Sequence, residues 1–106
     1  MTKYHARRTT VDNITFDSLA EARRYGELKL LQAAGEIGHI LVHPHWDIVV
    51  NGAKVCRYEA DFEYTDTRHD GKKTVEDVKG VKTPIYRLKK KLMAAVHGIE
   101  IVEVSA

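Results

Sequence analysis

The stretch VCRYEADFEYTDTRHDGKKTVEDVK, Val55–Lys79, decides how this chain folds. From Val55 to Thr65 apolar and polar residues alternate. A strand here sets Cys56, Tyr58, Ala60, Phe62 and Tyr64 on one face and Arg57, Glu59, Asp61 and Glu63 on the other. Asp70-Gly71 marks a turn, and Lys72–Lys79 makes the returning strand. With the turn centred near residue 69, antiparallel partners have numbers adding to about 138, so Asp61 faces Asp77 and Glu59 faces Lys79. Two carboxylates opposed at roughly 5 Å between Cβ atoms repel, and they cost stability unless a cation or a shared proton joins them.

Upstream, Ile40–Val50 is an apolar-rich strand broken by Pro44, and it ends at Asn51-Gly52, a tight-hairpin signal. Ser18-Leu19-Ala20-Glu21 has capping-box spacing and opens a helix to about Ala34, where Gly35 stops it. Leu19, Ala22, Tyr25, Leu28 and Ala33 supply its expected buried face, with Glu21 at the edge. Thr9–Phe16 reads as a short hairpin turning at Asp12-Asn13. Downstream, Thr83 caps a second helix with Pro84 at its first position, and Gly98 ends it. Ile85, Leu88, Leu92, Ala95 and Val96 predict its buried stripe, leaving Tyr86, Arg87, Lys90 and Lys91 outside. Ile99–Val104 alternates as a final strand. The order hairpin, α, β, β, β, α, β describes one α/β or α+β domain with a mixed sheet over residues 9–106, preceded by a basic arm over 1–8.

A chain of 106 residues suits one domain, and it buries only about two-thirds of its unfolded surface, which leaves little room for a bulky organic cofactor. The 43% hydrophobic and 30% charged composition is globular, and apolar runs of at most four or five residues exclude a membrane-spanning helix. There is no basic-then-apolar start, and Cys56 alone cannot make an internal disulfide, so the expected compartment is the cytoplasm. The net charge of +2 is unevenly spread. Residues 1–8 and 78–99 carry nine basic side chains and no acid, whereas residues 9–77 hold eight basic and thirteen acidic ones. Basic segments beside an acidic middle fit a polyanion held near a cation site, or else an ordinary solvated helix face.

A hard divalent cation with oxygen ligands, Mg²⁺ or Mn²⁺, suits the Asp61/Asp77 patch, and the lone cysteine argues against a thiolate zinc site. The plain alternative is a solvated strand face with a Glu59–Lys79 cross-strand salt bridge. Asp61 followed by Asp77-Val78-Lys79 resembles the PD-(D/E)XK nuclease signature, and the α-β-β-β-α-β order is similar to that superfamily's restriction-endonuclease-like core. Phe16-Asp17-Ser18, Glu21 to Tyr25, Ala60-Asp61-Phe62, Val75 to Gly80 and Tyr86 to Lys89 also resemble a family of small phage and prophage proteins. Those proteins are assigned to the same superfamily and likened to Holliday-junction resolvases. The resemblance spans nearly the whole chain, with one departure: Glu59-Ala60 stands where the signature has its proline.

The resemblance implies that Asp61, Asp77 and the Val78 carbonyl hold metal. It implies that Lys79 orients or helps deprotonate the attacking water, or stabilises charge at the scissile phosphate, and that Glu21 brings an acidic group to the metal or to a second one. Phosphodiester hydrolysis needs a Lewis acid, an activated water and charge neutralisation. The competing role for Glu21 is completion of the capping box with Ser18. Glu76 points to the face opposite Asp77 and stays outside the site. His43 and His45 have zinc-ligand spacing but no third ligand nearby in sequence, and they read as structural histidines. Trp46 reads as core.

Lys82, Thr83, Arg87 and Lys90 form the expected phosphate-binding set at a helix N-terminus, with Tyr86 beside them for backbone contact and Lys3, Arg7 and Arg8 adding contacts from the arm. The expected function is a Mg²⁺- or Mn²⁺-dependent DNA endonuclease selective for branched or distorted DNA, because phosphate contacts carry no sequence information. Cutting two strands is simplest with two sites, which favours a symmetric homodimer. The rivals are a catalytically silent DNA-binding or partner-binding module, and an RNA- or nucleotide-directed hydrolase.

Overall fold

Both expected two-residue turns form. In the computed structural model, which describes residues 7–106, Asp12 and Asn13 take φ of 53° and 63°, and Asn51 and Gly52 take 51° and 79°. Positive φ at both central residues matches the right-handed twist of paired strands. These turns close β1 (Thr9–Val11) on β2 (Ile14–Phe16) and β4 (His45–Val50) on β5 (Ala53–Glu59). Helix α1 (Leu19–Ala33) begins at Ser18, whose hydroxyl accepts the Glu21 N–H, and helix α2 (Pro84–His97) begins at Thr83, which accepts the Tyr86 N–H. Gly98 ends α2 at φ 67°. The remaining strands are β3 (Ile37–Val42), β6 (Phe62–Asp66), β7 (Lys72–Lys79) and β8 (Val102–Ser105).

The result is a single α+β domain around a mixed four-stranded sheet in the order β3-β6-β7-β8. The first three strands pair antiparallel, and β8 joins parallel to β7 after the α2 crossover that a parallel pair requires. The series α1, β3, β6, β7, α2, β8 realises the expected core order, and the β4–β5 hairpin is inserted as a sheet of its own. No described helix is long and apolar enough to cross a membrane.

Each of the two long strands expected from the sequence divides in two. The first begins earlier, at Ile37, and breaks at His43-Pro44; the second breaks at Ala60-Asp61. The breaks are stitched together: the His43 N–H donates to the Asp61 carbonyl at 3.0 Å, and the Ala60 N–H donates to the Pro44 carbonyl at 2.9 Å. Beyond the break β6 meets β7 in the expected register, Phe62 opposite Glu76, and the ladder stops there. Asp61 lies in the break, where its N–H donates to the Glu76 carbonyl at 3.1 Å, so the expected Asp61–Asp77 pair is not part of the ladder. The expected Glu59–Lys79 pairing does not form. Glu59 has turned away with β5, lies opposite His45, and meets Arg57 at 3.8 Å.

The division splits one apolar stripe between two cores. Phe62 and Tyr64 pack with Phe16, Ala22, Tyr25, Leu28, Ile37 and Val78 on the α1 side. Tyr58 and Ala60 pack with Ile48, Val75, Tyr86, Met93 and Ile101 on the α2 side, with Trp46 stacked on Tyr58. Glu76 lies wholly within the α1 side, where the Arg24 guanidinium donates to both its oxygens at 2.8 and 2.7 Å and the Tyr64 hydroxyl donates as well.

The helix faces differ in part from the expected ones. In α1, Ala22, Tyr25 and Leu28 are buried, but Leu19 and Ala33 are exposed. In α2 the buried line is Tyr86 and Met93, while Ile85 is 62% and Leu88 55% exposed. That line is turned roughly a third of the way round the helix from the Ile85–Leu88–Leu92 stripe. Tyr86 can occupy the core because its hydroxyl reaches Glu103 at 2.9 Å, giving a buried ring a polar outlet.

Candidate active site

Four separate elements supply the site: the first turn of α1 brings Glu21, the β3–β4 link brings His43, the β5–β6 break brings Asp61, and β7 brings Asp77 and Lys79. One ligand atom from each of Glu21, His43 and Asp61 lies within 4.8 Å of the others. Asp61 is anchored to β7 through its Oδ2, which accepts the Val78 N–H at 2.7 Å. Glu21 does not have to choose between cap and cluster. The Ser18 hydroxyl donates to its Oε2 at 3.3 Å while accepting its N–H at 3.1 Å, and the same carboxyl still faces Asp61.

Asp77 is almost fully buried and accepts a hydrogen bond from the Tyr58 hydroxyl; it does not belong to the group of three. The Lys79 ammonium lies 4.4 Å from the centre of the Tyr86 ring, a cation–π contact that holds it at the end of β7. From there its charge favours the ionised forms of both Asp61 and Asp77. Lys79 thus acts electrostatically on one acid of its own strand and on one in the β5–β6 break.

All three carboxyls are disfavoured as anions. Burial, helped by the charges of Asp61 and Asp17, pushes Glu21 up to about 7. Burial pushes Asp77 up to about 6 against the pull of Lys79 and the Asp61 N–H. Burial also raises Asp61, opposed by the Val78 N–H and Lys79. Carboxyls that resist ionisation next to one another suit a cation that replaces the missing positive charge.

The expected phosphate-binding residues divide into two groups. Lys82 and Lys90 both ion-pair with Glu103, at 3.0 and 3.1 Å, and Tyr86 is buried against the same carboxylate instead of standing outside the core. These three bonds hold the Glu103 carboxyl down to about 2. Thr83 spends its hydroxyl on the helix cap. Arg87 is exposed and lines a cleft of about 950 Å³ with Lys82, Lys90 and Lys91. Arg7 and Arg8 are exposed, and Lys3 lies outside the described residues. A second cleft, of about 490 Å³, opens beside Lys79 and is lined also by Arg57, Glu59 and Lys89. Arg57 and Lys89 escape sequence reasoning because only the turning-away of β5 sets them beside Lys79. His43 escapes it for the same reason: its partners lie on α1 and after β5, and His45, its neighbour in the motif, takes no part.

A family model described as a protein of unknown function, DUF1064, matches residues 1–101. The chain belongs to the DUF1064 family. No curated protein and no solved structure matches it. The acidic cluster, His43 and Lys79 of this DUF1064 chain all fall within the matched span.

The raised carboxyls predict how the stability of this DUF1064 domain depends on pH. A carboxyl whose folded value lies above its unfolded value, about 4, holds its proton better when folded. Its stabilisation is complete below pH 4 and is lost as pH rises through the folded values of about 6 for Asp77 and about 7 for Glu21. The depressed groups, Glu103 and Asp66, act below that window and lose their contribution only as the pH falls through their folded values. Protein treated with EDTA is expected to melt several degrees higher at pH 5 than at pH 8, with added Mn²⁺ narrowing the gap at pH 8. A melting temperature that is flat or rises over that range would contradict the clustering.

Proposed function

We propose that this chain is a divalent-metal-dependent endodeoxyribonuclease of the PD-(D/E)XK type, acting in the cytoplasm on branched or distorted DNA. The observation that carries the reading is the meeting of Glu21 and Asp61 from two separate elements, with ligand atoms within 4.8 Å, beside the strand β7 that carries Asp77 and Lys79. The carboxylates of Glu21 and Asp61, in partly buried positions with no thiolate in the group, suit a hard divalent ion such as Mg²⁺ or Mn²⁺. Asp61, Asp77 and Glu21 would hold the ion, with the Val78 carbonyl as a further oxygen. When bound, such an ion supplies Lewis-acid polarisation of a phosphoryl oxygen.

The chain's own groups do the rest. Lys79 presents a fixed ammonium beside the acidic residues, where it stabilises charge that develops on the phosphoryl group and orients a water. Arg57 and Lys89 line the cleft that Lys79 also lines, and Arg87 and Lys91 line a cleft on another face of α2, so a phosphodiester backbone crossing α2 meets cations on both sides of the helix. The exposed apolar row Ile85, Leu88 and Val81 supports a homodimer with two such sites.

The test is a panel of labelled four-way, flapped, nicked, linear and single-stranded DNA, with an RNA counterpart, incubated with Mg²⁺ or Mn²⁺ and with EDTA. Metal-dependent cuts in a branched substrate at the lowest protein concentration are expected. Absence of product on every substrate at high protein would reject the nuclease reading. It would favour a nuclease-like fold that only binds DNA or a partner, a reading supported by one observation: Asp77 is bonded to Tyr58 and stands apart from the group of three.

A further inference from the structure

The geometry points to His43 as a metal ligand: Glu21, His43 and Asp61 together form a mixed carboxylate–imidazole site that takes a first-row transition-metal ion in preference to Mg²⁺. The inference rests on, and deepens, the metal-dependent reading above.

Three ligand atoms from three elements lie within 4.8 Å of one another. Three atoms held about 2.0–2.2 Å from one ion in tetrahedral positions lie about 3.3–3.6 Å from one another, so the side chains close by about 1 Å on binding. The imidazole lies beside the Phe16 ring with centroids 6.0 Å apart. The backbone fixes it there: the His43 N–H donates to the Asp61 carbonyl, and the link continues into Pro44, whose carbonyl accepts the Ala60 N–H. His43 has φ 57°, a left-handed conformation that a residue preceding proline seldom takes. That turn is what carries the ring out of the line of β3 and toward α1.

The chemistry follows from the donor types. Mg²⁺ favours oxygen ligands, whereas imidazole favours the later first-row ions, whose affinities rise from Mn²⁺ through Co²⁺. A site of carboxylates alone would not separate Co²⁺ from Mg²⁺ as strongly as one that includes His43.

The experiment titrates metal-stripped full-length protein, without DNA, with CoCl₂ and with MgCl₂ by calorimetry, and records the visible Co²⁺ spectrum. Wild type is expected to bind Co²⁺ at least tenfold more tightly than Mg²⁺. His43→Asn, chosen because asparagine tolerates the left-handed conformation, is expected to lose at least tenfold in Co²⁺ affinity, to change in Mg²⁺ affinity less than threefold, and to shift the Co²⁺ spectrum. Equal Co²⁺ affinity in wild type and variant overturns the proposal. If the variant does not fold, pulsed EPR of wild type with Mn²⁺ decides: ¹⁴N coupling supports the imidazole ligand, and its absence overturns it. Because binding is read without DNA, the outcomes separate. Co²⁺ bound through His43 with no cleavage anywhere in the substrate panel upholds this site and rejects the nuclease. Cleavage with unchanged metal preference in His43→Asn does the reverse.

Discussion

Asp77→Asn is expected to lower DNA cleavage by at least about 10²–10³-fold, the loss seen when one preorganised electrostatic group is removed from a reacting centre. Asparagine keeps the volume of the side chain, and its oxygen still accepts from the Tyr58 hydroxyl, so the buried position is preserved. What it removes is the negative charge that a metal ion requires. DNA affinity is expected to change by less than about threefold, because Arg57, Arg87, Lys89 and Lys91 are untouched. The same substitution relieves a carboxyl pushed up to about 6 by burial, so metal-free Asp77→Asn protein is expected to melt higher than wild type at pH 8. Lys79→Ala should match the loss of cleavage without that gain in melting temperature. Single-turnover cleavage, DNA-binding titrations and thermal melts make the comparison, and cleavage retained in either purified variant sinks the nuclease assignment.

Arg24→Met is expected to destabilise the fold by about 3–5 kcal/mol, the range for removing one partner of a buried ion pair. Glu76 is only 1% exposed, and Arg24 covers both its oxygens from α1. Without the guanidinium the carboxylate keeps only the Tyr64 hydroxyl and must either stay charged in the core or take up a proton. The Arg24–Glu27 pair on the surface adds little, because exposed pairs are screened. For a domain of this size the loss corresponds to a drop in melting temperature of roughly 12–40 °C. Adding Glu76→Gln should recover part of it, since the amide oxygen still accepts from Tyr64 with no charge left to solvate. Urea unfolding followed by circular dichroism measures both; a loss under 1 kcal/mol in Arg24→Met would show that the pair contributes little to stability.

Much of this architecture is legible locally. The Asn51-Gly52 and Asp12-Asn13 turns, the Ser18 and Thr83 caps, the Gly35 and Gly98 stops and the register that sets Phe62 opposite Glu76 all follow from local sequence signals. The site is legible to the extent that it depends on that register. Asp61, Asp77 and Lys79 are separated by one turn, and Glu21 sits one helical turn inside a recognisable cap.

The divided strands are not legible in this way. The alternation from Val55 to Thr65 is unbroken, and period-two patterning says only that one face is apolar, not that its first half packs against α2 and its second against α1. Pro44 hints at a break in one strand, but the matching break at Ala60-Asp61 is made by hydrogen bonds across the fold. The face of α2 is likewise decided outside the helix. Tyr86 is buried because Glu103 arrives from β8 to meet its hydroxyl, and that leaves Ile85 and Leu88 in water.

By itself the chain determines its turns, its caps and the β6–β7 register, because the first two depend on residues within a few positions of one another and the third on a single turn. Which core each strand enters, which lysines Glu103 neutralises and that His43 stands beside Glu21 and Asp61 are decided only in the tertiary structure. Those contacts join groups far apart in sequence, and their energy depends on burial and distance, which exist only once the helices are packed on the sheet.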